Sequence, residues 1–267
     1  MLDIDLKNLK PPYLIHSDLF KTFGLIKEVY KETKGQISPL ELHFNLLSNL
    51  FYKENIILPS FNYDFPRTKF YDTKLTISQV GSLTNYVLEN QLLSRTKTPI
   101  FSFLTDIKDV LCGHNFPFST GSVFDFVNNN DGTIVFYGAE ISSCTFLHYV
   151  ENQFGPPVFR YDKKFIGSIS DGQTISNTCV EFHARPLGLE LDYNSDLLLK
   201  LLEENNVIHK LANNLFAVKA KDLLSVWGNF YTKNQFDILS IQTKDVVSNK
   251  FNSIGRRFIQ KDFEGIV

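Results

Sequence analysis

Short, wholly apolar runs separated by capped helical segments constrain this chain more than any other feature. Tyr13-Leu14-Ile15 follows Pro11-Pro12, Ile56-Ile57-Leu58 stops at Pro59, and Thr133-Ile134-Val135-Phe136-Tyr137 follows the turn pair Asp131-Gly132. Runs of this kind, without polar alternation, mark strands that are buried on both faces. Helix signals lie between them. Ser17 or Asp18 can cap a helix behind the first run. Ser38-Pro39-Leu40-Glu41 is a capping box with Pro in the first turn, and Leu40, Phe44, Leu47 and Phe51 follow on one helical face. Residues 78–93 and 143–154 read as helices, 99–104 and 178–183 as extended, and Ser195 as the cap of a helix over 197–204. The polar and aromatic stretches 60–76 and 154–173 read as loops that form part of a cleft. Strands alternating with helices predict an α/β fold, expected as one layered domain over 1–267 with a central mixed sheet flanked by helices.

Composition narrows the function classes. Of 267 residues, 43% are hydrophobic and 21% charged, which excludes a disordered chain and a collagen-like repeat. A formal charge of −2 points to neither a nucleic-acid nor a membrane partner. The three cysteines have no C-x-x-C spacing, so neither a disulfide framework nor a metal site is expected. With no apolar leader and no long apolar stretch, the expected location is cytoplasmic. The 25 Phe and 11 Tyr, against one Trp and one Met, predict an aromatic-rich core or cleft. Nine Lys and Arg against four Asp over 210–262 suit either a solvated C-terminal surface or one that meets a polyanionic ligand. The glycine-rich dinucleotide, P-loop, nucleophile-elbow and H-E-x-x-H signatures are all missing, which disfavours those enzyme classes.

The stretch Cys144-Thr145-Phe146-Leu147-His148-Tyr149-Val150-Glu151 carries the most chemistry. On a helix His148 and Glu151 share a face, with Cys144 one turn earlier. A Cys–His nucleophilic pair, a metal pair short of a third ligand, and a general base held by a carboxylate all fit that spacing. So does a structural histidine on a half-buried helix.

Five segments in order resemble the aminoglycoside 3-N-acetyltransferase family. Ile15-His16-Ser17-Asp18-Leu19 is similar to its V-H-S-S-L turn. Ile57-Leu58-Pro59-Ser60-Phe61-Asn62-Tyr63 is similar to its L-V-M-P-T-F-S-Y segment. Arg95-Thr96-Lys97-Thr98-Pro99-Ile100-Phe101-Ser102-Phe103 follows its R-S-x-H-P-x-x-S-F spacing. Phe118-Ser119-Thr120-Gly121-Ser122-Val123-Phe124 resembles F-G-x-G-S-P-F. Phe136-Tyr137-Gly138, followed by Thr145, His148 and Glu151, resembles L-L-G with T-x-x-H-x-x-E. The resemblance covers 13–167, leaving 174–267 as a more variable, acceptor-side portion. Asp18, Thr98 and Ser119 depart from the family pattern.

The resemblance implies an N-acyltransferase that moves an acyl group from acyl-CoA to the amine of an amino sugar, a small-molecule acceptor. His148 is then the catalytic base with Glu151 as its partner, and Cys144 a packing residue. His16, Ser17, Asp18, Leu19, Arg95, Thr96 and Ser102 fall on the coenzyme segments, and no metal is implied. Asn62, Tyr63, His183 and Arg185 are the acceptor-side candidates, the last two alternating to one face of a strand. Charge balance near neutral and a basic C-terminal portion favour a nucleotide-linked amino sugar of surface polysaccharide synthesis over a polycationic aminoglycoside. An aminoglycoside-resistance enzyme is the alternative. A Cys144–His148 hydrolase or thioesterase and a non-catalytic acyl-CoA-binding protein are the readings of another class.

Overall fold

The computed structural model describes residues 4–265. The first apolar run is strand β1 (Tyr13–Ser17), and the Asp18 carboxylate accepts from the Phe20 backbone N–H at 3.0 Å to cap helix α1 (Leu19–Glu32). Helix α2 (Pro39–Phe51) opens as its box predicts, with Ser38 Oγ accepting from Glu41 N–H at 3.1 Å. Strand β2 (Ile56–Pro59) leads into the short helix α3 (Phe65–Thr68), strand β3 (Phe70–Asp72) and helix α4 (Ser82–Glu89). Strand β4 (Phe103–Leu104), helix α5 (Lys108–Leu111), helix α6 (Val123–Asn129) and strand β5 (Thr133–Tyr137) follow. Helix α7 (Phe146–Gln153) precedes a hairpin of β6 (Tyr161–Ser170) and β7 (Ile175–Ala184). The chain continues with helix α8 (Ser195–Glu204), strands β8 (His209–Ala212) and β9 (Leu215–Lys219), and helices α9 (Ala220–Tyr231), α10 (Ile241–Ile254) and α11 (Lys261–Glu264).

Six strands form a mixed sheet in the order β4-β2-β1-β5-β9-β8. Strand β1 runs parallel to β2 and β5, while β4, β9 and β8 join antiparallel. The apolar runs are continuous because both faces are covered. Leu14, Ile57, Ile134 and Phe136 pack with Phe124, Phe146, Val150 and Trp227, whereas Tyr13, Ile15, Val135 and Tyr137 pack with Phe44, Leu47, Phe51 and Val87. This is the expected α/β fold with a mixed sheet between helices. A second sheet, β3-β6-β7, pairs β6 with β7 antiparallel over their full length.

Several local expectations are corrected. Residues 60–76 are not an open loop: they hold α3 and β3, and Phe61, Phe65 and Tyr71 are buried. The stretch 154–173 likewise contains β6. The expected helix over 78–93 begins only at Ser82, after Gly81 at φ 83°. Only the last two residues of 99–104 are strand. Asn194, not Ser195, caps α8, its side chain accepting from Leu197 N–H at 3.1 Å. Part of the basic excess of 210–262 is paired, Arg256 with Asp262 and Lys244 with Asp237 inside the segment and Arg257 with Asp162 outside it.

Candidate active site

The parallel strands β1 and β5 are neighbours in register, so the loops leaving their carboxyl ends lie side by side, the position where open α/β sheets place ligands. Asp18 N–H donates to Tyr137 O at 2.8 Å, joining the two exits. Gly138, at φ 75°, is required there: a Cβ would stand 2.2 Å from Asp18 O. Strand β1 ends in His16 and Ser17 and turns into α1 at Asp18, and after β5 comes a short 3-10 turn (Ile141–Ser143) and then α7.

Helix α7 buries Phe146, Leu147, Tyr149 and Val150 in the core, which turns His148 toward the opening above them. Its Nδ1 lies 3.0 Å from Glu151 Oε2. Glu151 is only 2% exposed, whereas 24% of the His148 side chain stays accessible. Burial alone would raise the Glu151 carboxyl, but His148, the Arg160 guanidinium and the Tyr193 hydroxyl bring it below its ordinary range. Burial lowers His148 despite the carboxylate's opposing pull, and Arg160 adds to the lowering. An ionised Glu151 only accepts, so the neutral ring carries its proton on Nδ1 and keeps its lone pair on Nε2.

Two partners of this pair went unseen in the sequence. The Tyr193 hydroxyl donates to Glu151 Oε1 at 2.7 Å, and Arg160 Nη2 donates to that hydroxyl at 2.8 Å. Arg160 immediately precedes β6, inside the stretch read as a loop, and Tyr193 precedes α8 in irregular chain, so no periodicity singled either out.

On the β1 side, Ile15, His16, Ser17, Phe61, Gly81, Thr84 and Thr145 line part of a cleft of about 290 Å³. His16 is 5% exposed, held at a pKa of about 4 by burial, and stacked 5.8 Å from Phe136. Its Nε2 and the Thr145 Oγ1 are buried without a partner, so two polar atoms on this cleft's lining are unspent. Thr145 lies one turn before His148, so the cleft reaches the base helix. Tyr63 also lines the cleft. From it an aromatic wall runs through Phe101 (6.2 Å) and Phe118 (4.7 Å) to the His148 ring (5.1 Å), where part of the Phe and Tyr content is spent.

The remaining candidates separate. Arg95 is 7% exposed and donates to Ser60 O, Thr76 O and, at 3.0 Å, Ser102 Oγ. Thr96 is fully buried and its Oγ1 accepts from Phe103 N–H at 2.9 Å. The structure therefore places Arg95, Thr96 and Ser102 inside the fold rather than on the cleft wall with His16, although Arg95 also borders another groove beside α4. Asn62 is buried in a turn, donating to Ile77 O and accepting from Asp64 N–H, both at 2.9 Å. His183 and Arg185 do not alternate on one strand face: β7 ends at Ala184, and Arg185 is exposed beyond it. His183 Nδ1 pairs with Asp162, and its Nε2 lies 3.2 Å from Asn152 Nδ2 on α7. Cys144 is not on the helix but ends the 3-10 turn, and burial pushes its thiol up to about 12. Such a sulfur carries almost no thiolate at neutral pH. Among the described residues no group of three or more His, Cys, Asp or Glu side chains could hold a metal ion, and no helix is long and apolar enough to cross a membrane.

No curated protein sequence matches the chain. Among solved structures, aminoglycoside acetyltransferase AAC-IIIb in a binary complex with CoASH superposes with TM-score 0.63 at 12% identity, covering 87% of this chain and 92% of that one. Aminoglycoside acetyltransferase AAC(3)-IVa as apoenzyme gives TM-score 0.62 at 13% identity, covering 91% and 92%. The YokD protein of Bacillus subtilis gives 0.61 at 14%, covering 85% and 94%. A mutant of AAC(3)-IVa has also been solved with a gentamicin and with apramycin. These likenesses establish the fold. The family model described as aminoglycoside 3-N-acetyltransferase matches residues 49–227, two thirds of the sequence, and the chain therefore belongs to the aminoglycoside 3-N-acetyltransferase family.

Proposed function

We propose that this chain transfers an acetyl group from acetyl-CoA to an amine of an aminoglycoside-type amino sugar. The observation that carries the reading is the neutral His148, its Nδ1 tied to the buried Glu151 carboxylate. The nucleotide-linked acceptor favoured by charge balance finds no support among the related structures. Those that hold an acceptor hold aminoglycosides, and this supports the alternative instead.

An amino-sugar ammonium cannot attack a thioester until it gives up a proton. The neutral imidazole of His148 is a suitable acceptor near pH 7, and Glu151 compensates the imidazolium that results. The ammonium's first proton passes to solvent. As the nitrogen–carbon bond forms, Nε2 takes the amine's second proton and returns it to the sulfur as the carbon–sulfur bond breaks, so the coenzyme departs as its thiol and the ring is neutral again. No enzyme nucleophile is needed, in keeping with a Cys144 thiol that stays protonated. His16, Ser17, Asp18 and Leu19, at the head of α1, are assigned to the coenzyme. The helix N-terminus favours its anionic groups, and the unspent His16 Nε2 and Thr145 Oγ1 suit its polar atoms. Arg95 and Ser102 serve the coenzyme site by holding the Ser60 carbonyl, and Thr96 by holding Phe103 beside them. Tyr63 and the aromatic wall, with Asn62, His183 and Arg185 further out, are assigned to the acceptor side.

The test follows release of coenzyme A thiol from acetyl-CoA with apramycin, kanamycin and a nucleotide-linked amino sugar offered in parallel. Turnover with the aminoglycosides is expected, and turnover with the nucleotide sugar alone would move the acceptor class. His148→Ala is expected to lose about 10²–10⁴-fold in turnover. Undiminished turnover in that variant removes the base assignment.

A further inference from the structure

The geometry points to Arg160 and Tyr193 as a positioning pair that dictates which nitrogen of His148 carries the proton and how basic the other one is. The inference deepens the reading of His148 as a base and rests on it for its effect on rate, though not for its effect on the ring itself.

A guanidinium can only donate. Arg160 Nη2 donates to the Tyr193 hydroxyl at 2.8 Å, so that oxygen is used as an acceptor and its own proton goes to Glu151 Oε1 at 2.7 Å. The other carboxylate oxygen, Oε2, faces His148 Nδ1 at 3.0 Å and can only accept. By donating to Glu151 and standing near its charge, the pair keeps the carboxylate ionised and accepting, which holds the proton on Nδ1 and leaves the Nε2 lone pair for the substrate. The same pair balances charge. An ionised carboxylate as buried as Glu151 is costly unless compensated. Arg160 Nε stands 3.9 Å from Oε2, too far for a hydrogen bond yet close enough to offset the charge, and that nitrogen has no hydrogen-bond partner. The Arg160 guanidinium also sits 5.8 Å from the centre of the Tyr193 ring, which itself lies 5.8 Å from the His148 ring.

Other groups face the cluster from every packed element. His183 on β7 is bound to Asp162, which Arg257 grips through both terminal nitrogens; Arg160 Nη1 donates to His183 O at 3.3 Å. Tyr231 on α9 is engaged with Gly155 O. None of these contacts a Glu151 oxygen, so the direct control passes through Tyr193 and Arg160.

Tyr193→Phe removes one hydroxyl, and with it a donor to Glu151 and the acceptor of Arg160 Nη2. Glu151 loses a donor, its oxygens pull harder on Nδ1–H, and the imidazolium is favoured. The neutral base is then reached only at higher pH, so the acid limb of kcat/KM moves upward. At pH 6 the variant is expected to lose about three- to tenfold more activity than at its plateau. Arg160→Lys keeps the cation and is expected to leave the limb near its original place, whereas Arg160→Met moves it further up than Tyr193→Phe does. The ring is read independently of turnover by NMR titration of its Cε1–H resonance, assigned by its loss in His148→Ala. An upward move of that titration in Tyr193→Phe supports the pair. An unmoved titration overturns it, including the case where only the melting temperature falls. A moved titration in a protein that acylates no amine upholds the pair and instead removes the acyltransfer reading.

Discussion

Helix α7 and the segment from Arg95 to Phe103 both follow family motifs, and both bury a charged side chain, yet they do opposite things with it. In α7 the buried charge, Glu151, has its oxygens engaged so that one nitrogen of its neighbour His148 is left over at an accessible surface. In the other segment the buried charge, Arg95, spends its donors on Ser60 O, Thr76 O and Ser102 Oγ, while its guanidinium lies 5.1 Å from the Tyr71 ring centre. A motif marks a stretch of chain that matters; the hydrogen-bonding capacity still unspent after folding marks the side chain that meets a ligand. By that measure His16 belongs with His148, since its Nε2 is unspent on a cleft wall, although the two rings come from different strand exits.

The comparison breaks most visibly in a pair of mirror-image variants. The large loss of turnover expected of His148→Ala should come with a smaller fall in melting temperature than Arg95→Met shows, because Tyr193 and Arg160 still hold the buried Glu151 carboxylate. Arg95→Met should do the reverse. It takes the donor from Thr76 O, one of two donors from Ser60 O (the Ser102 hydroxyl is the other) and the partner of Ser102 Oγ, and is expected to cost about 3 kcal/mol, or roughly 6–12 °C in Tm for a chain of this size. The KM for acetyl-CoA in the surviving folded protein should change little. If Arg95→Met instead kept its Tm and raised that KM several-fold, Arg95 would be a coenzyme contact and the contrast between the two segments would disappear.

The same contrast explains what was legible in the sequence. Strands β1, β2 and β5 could be read because a parallel strand covered on both faces needs apolar residues at consecutive positions. Ser38 could be read because a capping box is local. His148 and Glu151 could be read because a helix places residues three apart on one face. Strand β6 could not. It carries Lys163 and Lys164 side by side, one face is partly open, and Gly167 weakens the pattern. That glycine is there because a Cβ would stand 2.3 Å from Lys69 O, a contact just before β3 that nothing near it in sequence announces. Arg160 and Tyr193 share the difficulty: Tyr193 meets Glu151 across 42 residues, and Arg160 meets Tyr193 across 33. Relations of this kind join segments far apart in the chain, and no spacing rule reaches them.

Glu151→Gln sharpens the α7 half of the comparison. The carboxylate raises His148, so removing its charge lowers the histidine further, in the direction that burial and Arg160 already drive it. Activity needs the neutral ring, so the acid limb of kcat/KM should move to lower pH, opposite to the move expected of Tyr193→Phe. The plateau should fall by about tenfold or more, because the imidazolium formed during transfer is no longer compensated and Arg160 is left facing an uncharged amide. A pH–rate profile decides the point: a limb that stays in place means the Glu151 charge does not act on the reacting ring.

The smallest effect is expected at Cys144, which tests whether proximity to a catalytic histidine in sequence means anything here. Its backbone, at φ −75° and ψ 89°, lies outside the helix that carries His148. Its side chain is in the core, and its pKa of about 12 leaves it protonated at neutral pH. Cys144→Ala should keep turnover within about twofold and lose about 1 kcal/mol of stability from the vacated volume. Iodoacetamide should inactivate the native enzyme no faster than it inactivates this variant. A hundredfold loss of turnover in Cys144→Ala would require an acyl-enzyme, and with it a rearrangement that brings a buried thiol out to the imidazole. The packing of Phe146 and Val150 shortly after it resists that movement, since both are fully buried on the helix that would have to shift.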